Sequence, residues 1–254
     1  MSTHLLDHLL DHPIIAQRYF FPRQRPIKDP FVVEVEGAAL HCYRRSPHPG
    51  APTLLHFHGN GEVVSDWLRD FAPELCSAGL NVCLAEYRGY GGSTGTPALV
   101  SMLDDAVKIA DALGVDPSTL YVYGRSVGSI FALHVAAQRP VAGLVIESGI
   151  ADVLRRLTLR VEPGELGVTR AQLEHAAAQV LDHEAKLRAH AGPVLVMHAR
   201  ADILVPVDNA RTLAAWAGER GRLVVFERGD HNSIHYFNGR EILAELLAFT
   251  GVGG

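Results

Sequence analysis

From residue 53 onward, short apolar runs alternate with stretches of helical period, and this alternation constrains the fold more than any other feature. TLLHF (53–57), NVCLAEY (81–87), LYVYG (120–124), AGLVIES (142–148), PVLVMHA (193–199) and RLVVFE (222–227) are each largely continuous apolar runs. A strand buried on one face alternates; a strand buried on both faces does not. These runs therefore predict a parallel sheet covered by helices on both faces. FVVEVE (31–36) and ALHCYR (39–44), joined at Gly37, predict an antiparallel hairpin that completes eight strands. Residues 62–79 predict a helix with Val63, Trp67, Phe71 and Leu75 on one face, ended by Gly79. Further helices are expected after Pro97 up to Gly114, and over 126–138. The expected class is α/β, a mostly parallel eight-stranded sheet with helices on both faces.

The rhythm breaks at about 151–191, which is polar, carries two helical patterns and contains no strand. It reads as a small helical cap inserted between two core strands. Residues 1–30 read as an N-terminal helix and connector, and 31–254 as one domain. Loops at the C-terminal ends of parallel strands are where such sheets bind ligands, so the insertion is a candidate lid.

The segment VYGRSVGS (122–129) places one serine between two glycines at the end of a strand and the start of a helix. That is G-x-S-x-G, the nucleophile elbow. The small Gly124 and Gly128 let strand and helix backbones come close, and the strained turn exposes the hydroxyl of Ser126. A serine hydroxyl is a weak nucleophile and needs a base held by an acid. In this architecture the chain order is serine, acid, histidine. Asp202 follows PVLVMHA and His231 follows RLVVFE, both at C-terminal strand ends, so they are assigned as acid and base. His235 and Glu147 are the weaker alternatives, and Asp230 is expected to shape its turn. The oxyanion donors are expected at the N–H of Val127 and of Asn60, in the loop HGNGE (58–62). Gly59, Gly61 and Arg125 are candidate substrate contacts, although for Arg125 the first reading is a loop anchor through an ion pair and the substrate contact the second. His58 reads as a histidine holding its loop.

HGNGE, YRGYGGS, GRSVGS, ARADILVP and GDHN, in that order, resemble the α/β-hydrolase superfamily, and within it the Bem46-like serine hydrolases. The group includes membrane-associated depalmitoylating relatives. The resemblance implies a Ser-Asp-His triad, an acyl-enzyme intermediate and no cofactor. Two departures stand out. Ala199 replaces a glycine before Asp202, and the insertion is longer and more charged than in the depalmitoylating relatives. The implied reaction is cleavage of an acyl ester or thioester. A serine peptidase of the same fold and a non-catalytic binding module are the alternatives.

A net charge of −5 argues against a nucleic-acid partner. The three cysteines, Cys42, Cys76 and Cys83, have no metal-like spacing and read as buried thiols of a reducing compartment. No transmembrane run or signal peptide is expected, so a cytoplasmic location is, with a homo-oligomer possible. His4, His8 and His12 fall on one face of an expected amphipathic helix. RYFFPRQRP (18–26) reads as a connector covering the core edge, and YRGYGGSTG (87–95) as a mobile loop. Arg155, Arg156, Arg160 and Arg170 of the insertion are either the outer face of a lid or contacts for an acidic substrate.

Overall fold

A computed structural model describes residues 9–252. Eight strands form one sheet in the order β1-β2-β4-β3-β5-β6-β7-β8. They are β1 (Phe31–Val35), β2 (Ala38–Arg45), β3 (Thr53–Phe57), β4 (Asn81–Ala85), β5 (Leu120–Arg125), β6 (Gly143–Glu147), β7 (Val194–Ala199) and β8 (Gly221–Phe226). β1 pairs with β2 and β2 with β4 antiparallel; every other pairing is parallel.

The helices are α1 (Pro13–Tyr19), α2 (Phe71–Ser77), α3 (Leu99–Ala112), α4 (Gly128–Gln138), α5 (Val153–Thr158), α6 (Arg170–Val180), α7 (His183–Ala189), α8 (Asp208–Ala217) and α9 (Ile234–Thr250). The continuous apolar runs are explained by two cores. Leu55, Val122, Leu144 and Val196 face α3, α4 and α8, while Leu54, Val145, Leu195 and Met197 face α2 and α9. Alternate residues of each central strand thus enter opposite cores.

The expected helix over 62–79 is corrected. It resolves into a short 3₁₀ turn at Val64–Trp67 and α2, which begins only at Phe71. Pro73 has no N–H and is accommodated only in a first turn, and the buried Glu86 carboxylate claims the Val64 N–H at 3.0 Å. The second helical pattern of the insertion likewise splits, because the Asp182 side chain caps a new helix by accepting from the Ala185 N–H at 2.8 Å. NVCLAEY stops as a strand at Ala85, two residues early. The 87–95 loop, expected to be mobile, is packed: Tyr87 and Tyr90 are buried, and Arg88 pairs with Asp105 at 2.6 Å.

His4 and His8 lie outside the described residues. His12 caps α1, its Nδ1 accepting from the Ile14 N–H at 3.2 Å. Asp11 accepts from the Val100 N–H at 2.6 Å, placing its negative charge at the N-terminus of α3. Leu9, Leu10, Ile15 and Phe20 are buried against the domain, and the three cysteines are buried and free.

The buried histidines make stability depend on pH. Burial pulls His183 down to about 3 and His134 down to about 4, and holds His56 well below its ordinary value. In the unfolded chain each titrates near ~6.5. Below that value the unfolded state binds more protons, so the contribution is complete above ~6.5 and is lost as pH falls. His58 has the opposite sign. Burial opposes its charge, but Glu86 raises it overall, so its contribution is present at low pH and is lost as pH rises through the folded value. Burial lowers His190 as well, so with four histidines against one the melting temperature falls between about pH 7 and about pH 5, and less steeply in His183→Asn. Thermal melts across that window check this; a flat profile contradicts it.

Candidate active site

β5 ends at Arg125, and α4 starts at Gly128. Between them Ser126 sits at φ 52°, in the left-handed region that non-glycine residues rarely occupy. Its N–H donates to Glu147 O at 2.8 Å, and the Ser129 hydroxyl donates to its carbonyl at 2.6 Å. The flanking glycines are sterically required. A Cβ on Gly124 would lie 2.5 Å from Gly128 O, and one on Gly128 would lie 2.1 Å from Phe57 O. Gly128→Ala is expected to cost about 1–3 kcal/mol through overpacking, read as a lowered melting temperature; an unchanged one would show that the helix can shift freely.

Two other strand ends bring partners to this serine. His231 Nε2 lies 2.9 Å from Ser126 Oγ, and its Nδ1 lies 2.6 Å from Asp202 Oδ2. An ionised carboxylate only accepts, so Nδ1 carries the proton and the Nε2 lone pair faces the hydroxyl. Asp202 Oδ1 accepts from the Leu204 and Val205 N–H groups at 2.9 and 2.8 Å. His198 Nε2 lies 2.7 Å from Val205 O and 3.3 Å from Asp202 Oδ2. Burial opposes the charge of Asp202, but the hydrogen bonds from His198 and His231 overcome it and hold the carboxyl below its usual range. Asp230 shapes the turn, its Oδ1 accepting from the Asn232 and Ser233 N–H groups, both at 3.0 Å. His235 is not at the serine; it pairs with Glu147 at 2.8 Å, and Glu147 is not at His231.

The loop after β3 is anchored on every side. His58 Nε2 meets Glu86 at 2.8 Å, and the Tyr87 hydroxyl donates to His58 O at 2.6 Å. The Asn60 side chain accepts from the Phe21 N–H at 2.9 Å and from the Tyr90 hydroxyl at 2.9 Å. Gly59 donates its N–H to Glu62 Oε2 at 2.8 Å. Asn60 and Val127 line the cavity that contains Ser126, whereas Gly59 and Gly61 are not in its wall. The small Gly59 instead makes room behind the site, since a Cβ there would lie 2.8 Å from Arg125 Nη1.

Arg125 is buried among three protein oxygens. Its Nη1 lies 2.5 Å from Glu62 Oε1, its Nε 3.0 Å from Glu147 Oε1, and its Nη2 donates to His231 O at 2.6 Å. One guanidinium therefore ties the loop after β3, the end of β6 and the loop carrying His231. Arg125 is in the wall of the cavity that contains Ser126, and its three carbonyl or carboxylate neighbours are those of a loop anchor.

The cavity has a volume of about 440 Å³, within the usual range for small-molecule sites. The connector supplies Tyr19 and Phe21, the elbow Val127, the Asp202 loop Leu204 and Val205, the loop after β6 Ile150, and the insertion Arg156, Leu159 and Arg160. Glu62 and Ser129 lie inside the segments HGNGE and VYGRSVGS but carry no assigned role there, and Tyr19, Phe21 and His198 are not singled out by the sequence at all. Only the spacing of His198 four residues before Asp202 could have flagged one of them.

A sheet of this order, with a serine, a histidine and an aspartate meeting at its strand ends, defines a hydrolase class. A family model described as the alpha/beta hydrolase fold matches residues 52–157. An uncharacterized protein of Mycobacterium tuberculosis is 31% identical over 205 residues, covering 78% of this chain and 69% of that protein. The protein bem46 of Schizosaccharomyces pombe is 26% identical over 205 residues, covering 78% and 67%. Est1E of Butyrivibrio proteoclasticus, solved with ferulic acid bound, superposes with a TM-score of 0.70 at 20% identity, covering 86% of this chain and 98% of that one. The chain belongs to the α/β-hydrolase fold family. No described helix is long and apolar enough to cross a membrane.

Proposed function

We propose that this protein is a serine hydrolase that cleaves a carboxylic ester or thioester through an acyl-enzyme. The observation that carries the reading is the continuous hydrogen-bonded chain from Ser126 Oγ through His231 to Asp202, at 2.9 and 2.6 Å. The Ser126 oxygen attacks the carbonyl carbon while His231 Nε2 takes its proton. The C–O or C–S bond to the leaving group breaks, and His231 returns that proton to the leaving group. Asp202 holds the ring and stabilises its charged form. The backbone N–H groups of Val127 and Asn60 receive the developing oxyanion. Water, deprotonated by His231, then releases the acid and frees Ser126. Arg125 is a positioning residue, because it joins the oxyanion loop to the backbone of the base. The helices of 151–191 are read as a cap inserted within the single domain of 31–254, because Arg156 and Arg160 reach the wall of the cavity.

The test is intact mass after incubation with a fluorophosphonate, followed by turnover of esters and thioesters graded in acyl length. A single adduct on Ser126 and acyl turnover are expected. An unlabelled, correctly folded protein would overturn the reading.

A further inference from the structure

Four arginines of the insertion are separated by the fold. Arg156 and Arg160 line the cavity that contains Ser126, whereas Arg155 and Arg170 line a different cleft of the cap. On α5, Val153 and Leu157 point into the core, which leaves Arg156 half-buried at the edge of that inward face. Among the described residues, neither the Arg156 nor the Arg160 guanidinium forms an ion pair, and Arg156 donates no side-chain hydrogen bond. Arg160 is steered towards the cavity by the Phe21 ring, with its guanidinium carbon 4.9 Å from the ring centroid. Its remaining contact is a 3.4 Å hydrogen bond to Arg18 O.

The acids near the cavity do not cancel these charges. Glu62, the one carboxylate in the wall, is engaged by Arg125 at 2.5 Å and by the Gly59 N–H at 2.8 Å. Glu165, close by on the cap, is engaged by Arg18 at 2.7 Å. Both cavity arginines also act electrically on the wall: burial raises Tyr19 to about 12, while Arg156 and Arg160 pull against that rise. A chain with a net charge of −5 thus places two uncompensated cations over the serine. Ile150, Leu204 and Val205 supply an apolar part of the wall, beside polar Asn60 and Asn232.

A guanidinium without a protein acceptor, facing a cavity, is matched to a planar or tetrahedral oxyanion that accepts two of its donors. We propose that the cavity selects esters that carry an anionic oxygen group, a carboxylate or a phosphate, bound by Arg156 with Arg160 beside it. This inference rests on the serine-hydrolase reading and narrows its substrate class. The apolar wall holds the hydrocarbon part, and the cap arginines hold the charged end away from the scissile carbonyl.

The experiment compares matched esters in wild-type protein and in Arg156→Gln. In the carboxylate arm, mono-p-nitrophenyl glutarate is set against p-nitrophenyl pentanoate. In the phosphate arm, a short acylglycerol phosphate is set against the corresponding monoacylglycerol. The anionic member of at least one arm is expected to be favoured about tenfold or more in kcat/KM, and the arm showing it identifies the anion. Arg156→Gln lowers kcat/KM for that member about tenfold more than for its neutral partner, and added salt erodes the preference. Equal or better turnover of both neutral members would overturn the proposal, as would an Arg156→Gln variant that lowers both members of a pair alike. Turnover of the neutral esters and the fluorophosphonate adduct report separately on Ser126. Calorimetric binding of glutarate and of glycerol phosphate to Ser126→Ala, with and without Arg156→Gln, reads anion recognition without chemistry. No Arg156-dependent binding in that pair would overturn the proposal even if Ser126 proves reactive.

Discussion

Ser126→Ala is expected to lower kcat on esters by about 10⁴- to 10⁶-fold while changing stability by about 1 kcal/mol or less. The two effects separate because the hydroxyl does little for the fold. Ser126 is buried but makes its one side-chain contact with His231 Nε2, at 2.9 Å. The elbow itself is held by backbone and by Ser129, and an alanine Cβ occupies the same left-handed position. Steady-state kinetics and a thermal melt on the same preparation check both halves. Retention of full turnover in a folded variant would remove Ser126 from the chemistry.

Arg125→Lys carries the second largest expected effect. A lysine keeps one charge but cannot reach three directions with a planar fork. Glu62, Glu147 and His231 O lie 2.5, 3.0 and 2.6 Å from three different nitrogens of the guanidinium. Glu147 is fully buried, with His235 and the Tyr123 hydroxyl on its other oxygen. Burial opposes the charge of Glu147, and His235 and Arg125 overcome this, holding the carboxyl below its usual range. Loosening the pair is expected to destabilise the fold by up to about 3–5 kcal/mol, the larger loss belonging to Arg125→Met. Displacing the His231 backbone and the Gly59–Glu62 loop together is expected to lower kcat about 10²-fold with little change in KM, when assayed well below the melting temperature. A purely structural role would lower the melting temperature and leave kcat intact. Glu62→Gln, which keeps an acceptor for the Gly59 N–H, should lie between wild type and Arg125→Lys in both measurements.

The strand positions were legible because burial on both faces leaves an unambiguous pattern. TLLHF, PVLVMHA and AGLVIES contain the observed β3, β7 and β6, with edges differing by one residue at most. The expected helix over 62–79 fails because its apolar period runs through Pro73, while the carboxylate of Glu86, just past β4, holds the Val64 N–H. Ser126, Asp202 and His231 could be chosen because each lies in the loop that follows a strand. Glu147 also ends a strand, but only the positions of His235 and Arg125 show that its carboxylate is taken.

By itself the sequence determined the strand alternation, the glycine-flanked serine turn and the chain order of serine, acid and base, since these depend on residues adjacent in the chain. The tertiary structure alone decided that Arg125 serves three loops, that the connector's Tyr19 and Phe21 wall the cavity, and that Arg156 and Arg160 rather than Arg155 and Arg170 face the serine. The physical reason is that ion pairing and cavity walls depend on distances between side chains from separate elements. Those distances exist only once the sheet has brought its strand ends together and the insertion has folded over them.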